Sequence, residues 1–120
     1  MVIYAEQRSS TTQFELGELF DKGQASRRDY CEAFRWYRQA AQNGSRRAQH
    51  RLASMYARGQ GVEQSLPRAY AWCKLAVIQG SRYARLKLGF IEARMSADQL
   101  RQGHCLAENL CDRYVVGRDA

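Results

Sequence analysis

Residues 45–80, SRRAQHRLASMYARGQGVEQSLPRAYAWCKLAVIQG, recur on both sides of themselves at a spacing of 36. Moving back by 36 carries Ser45, Leu52, Gly59, Ala69, Trp72, Ala76 and Gly80 onto Ser9, Leu16, Gly23, Ala33, Trp36, Ala40 and Gly44. Moving forward by 36 carries Ser45, Ala48 and Leu52 onto Ser81, Ala84 and Leu88. A fixed period of this length marks a repeat architecture, in which each unit buries its apolar face against the next.

Each unit reads as two helices, A and B. Ser9, Ser45 and Ser81 are equivalent N-caps, whose side-chain oxygen accepts from an orphan amide of the first turn. They open A helices over roughly 10–21, 46–58 and 82–94. Gly23 and Gly59 follow the first two, where glycine supplies a left-handed C-terminal cap. After the links 23–28 and 59–64, Asp29 and Ser65 are equivalent N-caps of the B helices. Asp29 has Glu32 three residues on, a variant of the capping box. Pro67 lies in the first turn, where its missing N–H costs nothing. The B helices carry Tyr30, Ala33, Trp36, Tyr37, Ala40 and then Leu66, Ala69, Trp72, Cys73, Ala76, a helical stripe that faces a core. Gly44 and Gly80 stop them.

The third unit starts on pattern and then departs from it. Glu92 stands where Phe20 and Tyr56 stood, and Met95-Ser96 replaces the glycine-rich link. Ser96 with Gln99 forms a capping box that opens a last helix over about 97–115. Its apolar stripe is Leu100, Gly103, Ala107, Leu110 and Tyr114, and its other sides carry Arg101, Glu108, Asp112 and Arg113. One apolar and one charged face suit a helix that ends an array in water. The expected organisation is a leader at 1–8, repeats at 9–44 and 45–80, and a partial third repeat with its capping helix at 81–120, frayed over 115–120.

At these residues the chain resembles the Sel-one-like repeat (SLR) family, relatives of the tetratricopeptide repeats. The family pattern runs roughly A-x3-L-G-x2-Y-x2-G-x-G-V, then A-x2-W-x3-A-A-x2-G. Unit two matches at Ala48, Leu52, Tyr56, Gly59, Gly61, Val62, Ala69, Trp72, Ala76 and Gly80, with Ala53 and Val77 as small departures. Unit one matches at Leu16, Gly17, Gly23, Ala33, Trp36, Ala40, Ala41 and Gly44, with Phe20 for tyrosine and a link lacking the second glycine and valine. The opening of the last helix also resembles the terminal segment of many bacterial members. The resemblance implies an all-α, right-handed solenoid of antiparallel helical hairpins with about six helices. It further implies a protein-binding adaptor or scaffold, regulatory in a bacterial cell.

By analogy with tetratricopeptide arrays, the A helices line a concave surface. The exposed register would hold Thr11, Phe14, Glu18 and Asp21; Arg47, His50, Ser54 and Ala57; and Tyr83, Leu86, Phe90 and Ala93. The expected partner-binding residues are therefore Phe14, Glu18, Arg47, His50, Ser54, Arg58, Tyr83, Leu86, Phe90 and Arg94. An aromatic groove rimmed by Arg47, Arg58 and Arg94 suits an acidic, partly apolar peptide or helix. The alternative is that Phe14, Leu86 and Phe90 pack on one another or under the capping helix.

Charge supports the middle of the chain as the contact region. The chain of 120 residues carries a formal net charge of +7. Residues 1–45 balance six Lys/Arg against six Asp/Glu, whereas residues 46–94 carry ten against two. Most of these cations are arginine, which pairs with carboxylate or phosphate in a bidentate fork. An acidic protein or peptide is the expected partner. A basic nucleic-acid-binding protein is the competing reading, weakened by cations spread over three helices and by the lack of a recognised module. Self-assembly into a homo-oligomer is a third.

No chemistry-bearing constellation appears. His104, Glu108 and Cys111 share one stripe of the last helix, but a single helix offers too few ligands for a metal, and no CxxC pair exists. Gly59-Gln-Gly61 is a hairpin link, not a phosphate cradle. Paired carboxylates occur only near Glu15 and Glu18. The expectation is no enzyme and no cofactor. The N-terminal residues lack the character of a secretory signal, and Cys31, Cys73, Cys105 and Cys111 read as reduced, mostly buried thiols, so a cytoplasmic protein without a membrane span is expected.

Overall fold

The structure, a computed structural model, describes residues 10–22 and 27–113, with the side chains of Arg27 and Arg28 left aside. The expected leader at 1–8, the Ser9 and Gly23 caps, Tyr114 and the tail lie outside the described residues. Six α-helices are present among them: α1 Ser10–Lys22, α2 Arg27–Gln42, α3 Arg46–Arg58, α4 Leu66–Ile78, α5 Arg82–Ala93 and α6 Ala97–Cys111. The chain is a right-handed, tetratricopeptide-like solenoid, with α1, α3 and α5 as its A helices.

The helix ends follow from local chemistry. Ser45, Ser65, Ser81 and Ser96 each accept from the amide three residues on, at Ala48, Arg68, Ala84 and Gln99. At Ser96 the Gln99 side chain closes a capping box. Asp29 differs from expectation: α2 begins two residues earlier, so Asp29 sits in its first turn, where a carboxylate complements the helix dipole. Gly59 takes the left-handed cap at φ 72°. Gly61 also has φ 72°, and any Cβ there would collide with the backbone of Tyr30 and Cys31 in α2. Only glycine lets that link lie against the preceding unit.

Packing runs from hairpin to hairpin: α1 on α2, α2 on α3, α3 on α4, and α4 on both α5 and α6. The core holds Tyr37, Leu52, Tyr70, Leu75 and Cys73, with alanines at 33, 40, 48, 69, 76 and 84 all fully buried. Those alanines let backbones approach while the large rings fill the space between. Two glutamines 36 residues apart are fully buried as well. Gln13 accepts from Asn43 Nδ2 at 2.9 Å, whereas neither amide atom of Gln49 has a hydrogen-bond partner.

The last helix departs from the hairpin rule. α6 packs on α4 rather than folding back along α5. Gly103 lies so close to Tyr70 that a Cβ would stand 2.9 Å from its ring, and the Tyr70 hydroxyl meets His104 Nδ1 at 3.3 Å. Only Arg94, Met95 and Ser96 join the two helices, where the first two units use a longer glycine-bearing link. α5 is therefore uncovered on the side where α2 covers α1.

Candidate functional site

Contacts between successive A helices repeat with the sequence. Arg47 on α3 lies 4.5 Å over the Phe14 ring of α1; 36 residues on, Tyr83 on α5 lies 5.3 Å from the His50 ring of α3. Arg51 reaches back to Asp21 at 2.9 Å and Glu18 at 3.4 Å, and its equivalent Lys87 donates to Ser54 Oγ, the equivalent of Glu18. The first two A helices are thus each capped by the one after it.

This geometry corrects part of the expected groove. Phe14 is 3% exposed, enclosed by Tyr37 from α2 (centroids 5.5 Å apart) and by Arg47 and Arg51 from α3. It is a core residue, not an open anchor. Glu18 is engaged by Lys22 at 3.3 Å, Arg51 at 3.4 Å and Arg47 at 4.0 Å. Glu18 and Arg47 therefore belong to an ion cluster over the first A helix. Ala57, also expected on the open register, is buried.

The remaining residues come together between α3 and α5. A cavity of about 360 Å³ is lined by His50, Arg51, Ser54, Arg58, Tyr83 and Lys87, with Asp21 among its other walls. A second, of about 170 Å³, shares Ser54, Arg58 and Lys87 with it and adds Ala53, Ala57, Phe90, Ile91 and Arg94. Together they form one groove that collects His50, Ser54, Arg58, Tyr83, Phe90 and Arg94 of the expected set. Leu86 is 69% exposed and lies outside both linings, on the far side of α5.

The groove is cationic. Arg51, Arg58, Lys87 and Arg94 line it against the single carboxylate of Asp21, which Arg51 already pairs. Burial, then the charges of Lys87, Arg46 and Arg51, hold the His50 pKa below 6.5. The neutral ring contacts Ser81 Oγ through Nε2, while its buried Nδ1 has no partner. Tyr83 and Phe90 are 59% and 74% exposed, so two rings border a strip of guanidinium and ammonium groups. Arg51 and Lys87 were missed from sequence. The signal was present, since two cations share one register 36 residues apart.

His104 is occupied structurally, edge-on to Tyr70 at 5.2 Å. Among the described residues, no group of three His, Cys, Asp or Glu side chains could hold a metal ion. None of the described helices is long and apolar enough to cross a membrane.

The Sel1 repeat pattern matches residues 10–45 and 46–81. The chain belongs to the Sel1 repeat family. Repeats of this family generally serve as protein-interaction scaffolds. Two solved Sel1-type structures are similar to it. One is a protective antigen of uropathogenic Escherichia coli with an SLR fold, at 28% identity and a TM-score of 0.83, covering 91% of this chain and 24% of that one. The other is a Sel1 repeat protein of Oxalobacter formigenes, at 28% identity and a TM-score of 0.64, covering 84% of this chain and 43% of that one. The chain thus spans about a quarter and less than half of these two relatives. No curated protein matches the sequence.

Proposed function

We propose that this chain is a non-enzymatic adaptor that seats an acidic segment of another protein in the groove between α3 and α5. The observation that carries the reading is the pairing of Arg58, Lys87 and Arg94 with the exposed rings of Tyr83 and Phe90, opposed by one already-paired carboxylate. Aromatic anchors beside arginines are the residue types that concentrate binding energy at protein interfaces. The family's general role supports the same class of function. A regulatory role in a bacterial cytoplasm is part of the proposal, supported by the bacterial relatives and by four cysteines that are all free thiols, although only Cys73 is buried where most were expected to be.

The groove residues sharpen the test. Arg58→Glu with Arg94→Glu reverses two charges on exposed positions at the ends of α3 and α5. Fluorescence anisotropy with an extended peptide rich in Asp and Glu and bearing Phe and Leu should show binding to the natural chain. The double variant should lose about tenfold or more in affinity with unchanged helicity. Retained affinity refutes the groove. Preferred binding of random-sequence DNA, lost steeply with salt, would replace the proposal with phosphate binding.

A further inference from the structure

α5 carries two apolar stripes. Ala84, Leu88 and Ile91 face the core and are buried. On the far side Leu86, Gly89 and Ala93 fall at i, i+3 and i+7, the spacing of a helix-packing seam. Phe90 at i+4, with Tyr83 one turn before, joins them to the groove. All five are exposed, Leu86 and Phe90 at 69% and 74%. A seam of alternating large and small residues lets a second helix lie close, and here no helix among the described residues covers it.

The repeat shows what geometry would cover it. Phe14 is closed by Arg47 and Arg51, and His50 by Tyr83 and Lys87, in each case from the next A helix. Leu86 is the third member of that register, and there is no fourth A helix among the described residues. Gly89 marks a second opening beside it, on the side where α1 is covered by its own B helix, α2. At the equivalent Gly17 a Cβ would stand 2.6 Å from the Tyr37 ring, whereas at Gly89 it meets nothing within 4 Å. Glu92 is exposed where the equivalent Tyr56 is buried against Phe34 of α2.

Charge selects the occupant. Arg82 and Arg85 flank the seam on one side, Lys87 and Arg94 on the other, against Glu92 alone. A second copy pairing α5 with α5 would set these cations against themselves. We infer that the seam docks an acidic amphipathic helix of the partner protein, laid along α5 where a further A helix would stack. The inference rests on the proposed acidic protein partner and adds that the docked segment is helical and extends from the groove over the outer side of α5.

Three peptides test it: a designed helix with a Leu/Ala seam at i, i+3, i+4, i+7 and glutamate flanks, the same helix with lysine flanks, and an isomer broken by a central proline. Only the acidic helix should bind the full chain, read by anisotropy and by amide shifts along α5. Leu86→Glu should weaken it by about tenfold or more. Gly89→Trp, which fills open space in the free protein, should do the same without loss of thermal stability. Both variants should still bind the extended acidic peptide. If the helix does not bind, or binds both variants as it binds the natural chain, the inference fails while the groove proposal stands. If neither the helix nor the extended peptide binds, the groove proposal fails with it. A dimer in sedimentation that Leu86→Glu makes monomeric would assign the seam to a second copy and overturn the inference.

Discussion

Alanine at Gly17 and at Gly89 should move stability in opposite directions, although the two positions are three-register equivalents 72 residues apart. Both glycines lie inside helices, where alanine gains about 1 kcal/mol of intrinsic preference. At Gly17 the new methyl would stand 2.6 Å from Cδ1 and Cε1 of Tyr37, about 1 Å inside ordinary contact. That ring cannot retreat cheaply. It is fully buried, stacks on Phe14, and its hydroxyl donates to Asp21 Oδ2 at 3.0 Å while accepting from Arg51 at 3.3 Å. Overpacking costs about 1–3 kcal/mol, and a clash this deep against a ring held on several sides takes the upper part, about 2–3 kcal/mol. After the helical gain, Gly17→Ala should lose about 1–2 kcal/mol net. At Gly89 nothing offsets the helical gain, so Gly89→Ala should be stabilised by about 0.5–1 kcal/mol. Thermal melting followed by circular dichroism should show a fall of about 4–8 °C for the first and a rise of about 2–4 °C for the second. Equal signs would refute the reasoning. A destabilised Gly89→Ala in particular would mean that something covers the outer side of α5.

Three further outcomes follow from buried groups. His50 has a native pKa held below 6.5, so the unfolded chain binds its proton first; stability should fall as pH drops through about 6.5 and level off below the native pKa. Urea unfolding between about pH 7.5 and about pH 5.5 should show that slope in the natural chain and a flatter one in His50→Gln. Cys73 is fully buried, its thiol pushed up to about 11 chiefly by burial, and it donates to the Ala84 carbonyl. Iodoacetamide followed by mass spectrometry should label exposed Cys31 and Cys105 well before Cys73. Gln49→Met should be neutral or stabilising by up to about 1–2 kcal/mol, since a buried amide without partners is exchanged for an apolar side chain. The equivalent Gln13→Met should destabilise, because it removes the hydrogen bond accepted from Asn43 Nδ2 and the one donated to Gln39 Oε1. Chemical denaturation compares the two.

What could be read from the sequence was what the repeat enforces locally. The serines at 45, 65, 81 and 96 cap helices because a cap needs only its own first turn. Trp72, Leu52 and the alanines reach the core because helical spacing alone selects a face. The open register was less legible. Phe14, His50 and Leu86 are interchangeable by spacing, yet the first is buried, the second half-buried and the third 69% exposed. Their difference is not a property of any one helix. It comes from which neighbours cover each position. Tyr37 of α2 with Arg47 and Arg51 of α3 lie over Phe14, and Tyr83 of α5 lies beside His50. No helix among the described residues lies over Leu86, since α6 follows a three-residue link and packs on α4 with Gly103 against Tyr70.

That dependence on place in the array bears directly on function. In a solenoid, one register position is core wherever a next unit stacks on it and surface wherever the stacking stops. Arg47 and Arg51 spend their charge closing the first unit over Phe14, Glu18 and Asp21. Lys87 likewise reaches back to Ser54, but Arg82, Arg85 and Arg94 meet no following unit among the described residues and are exposed beside Leu86 and Phe90. An apolar seam with exposed cations on α5 and a closed first unit on α1 therefore follow from one rule of stacking. The excess positive charge of residues 46–94 is the sequence trace of that asymmetry, and it is why the proposed acidic partner is placed on α3 and α5 rather than on α1.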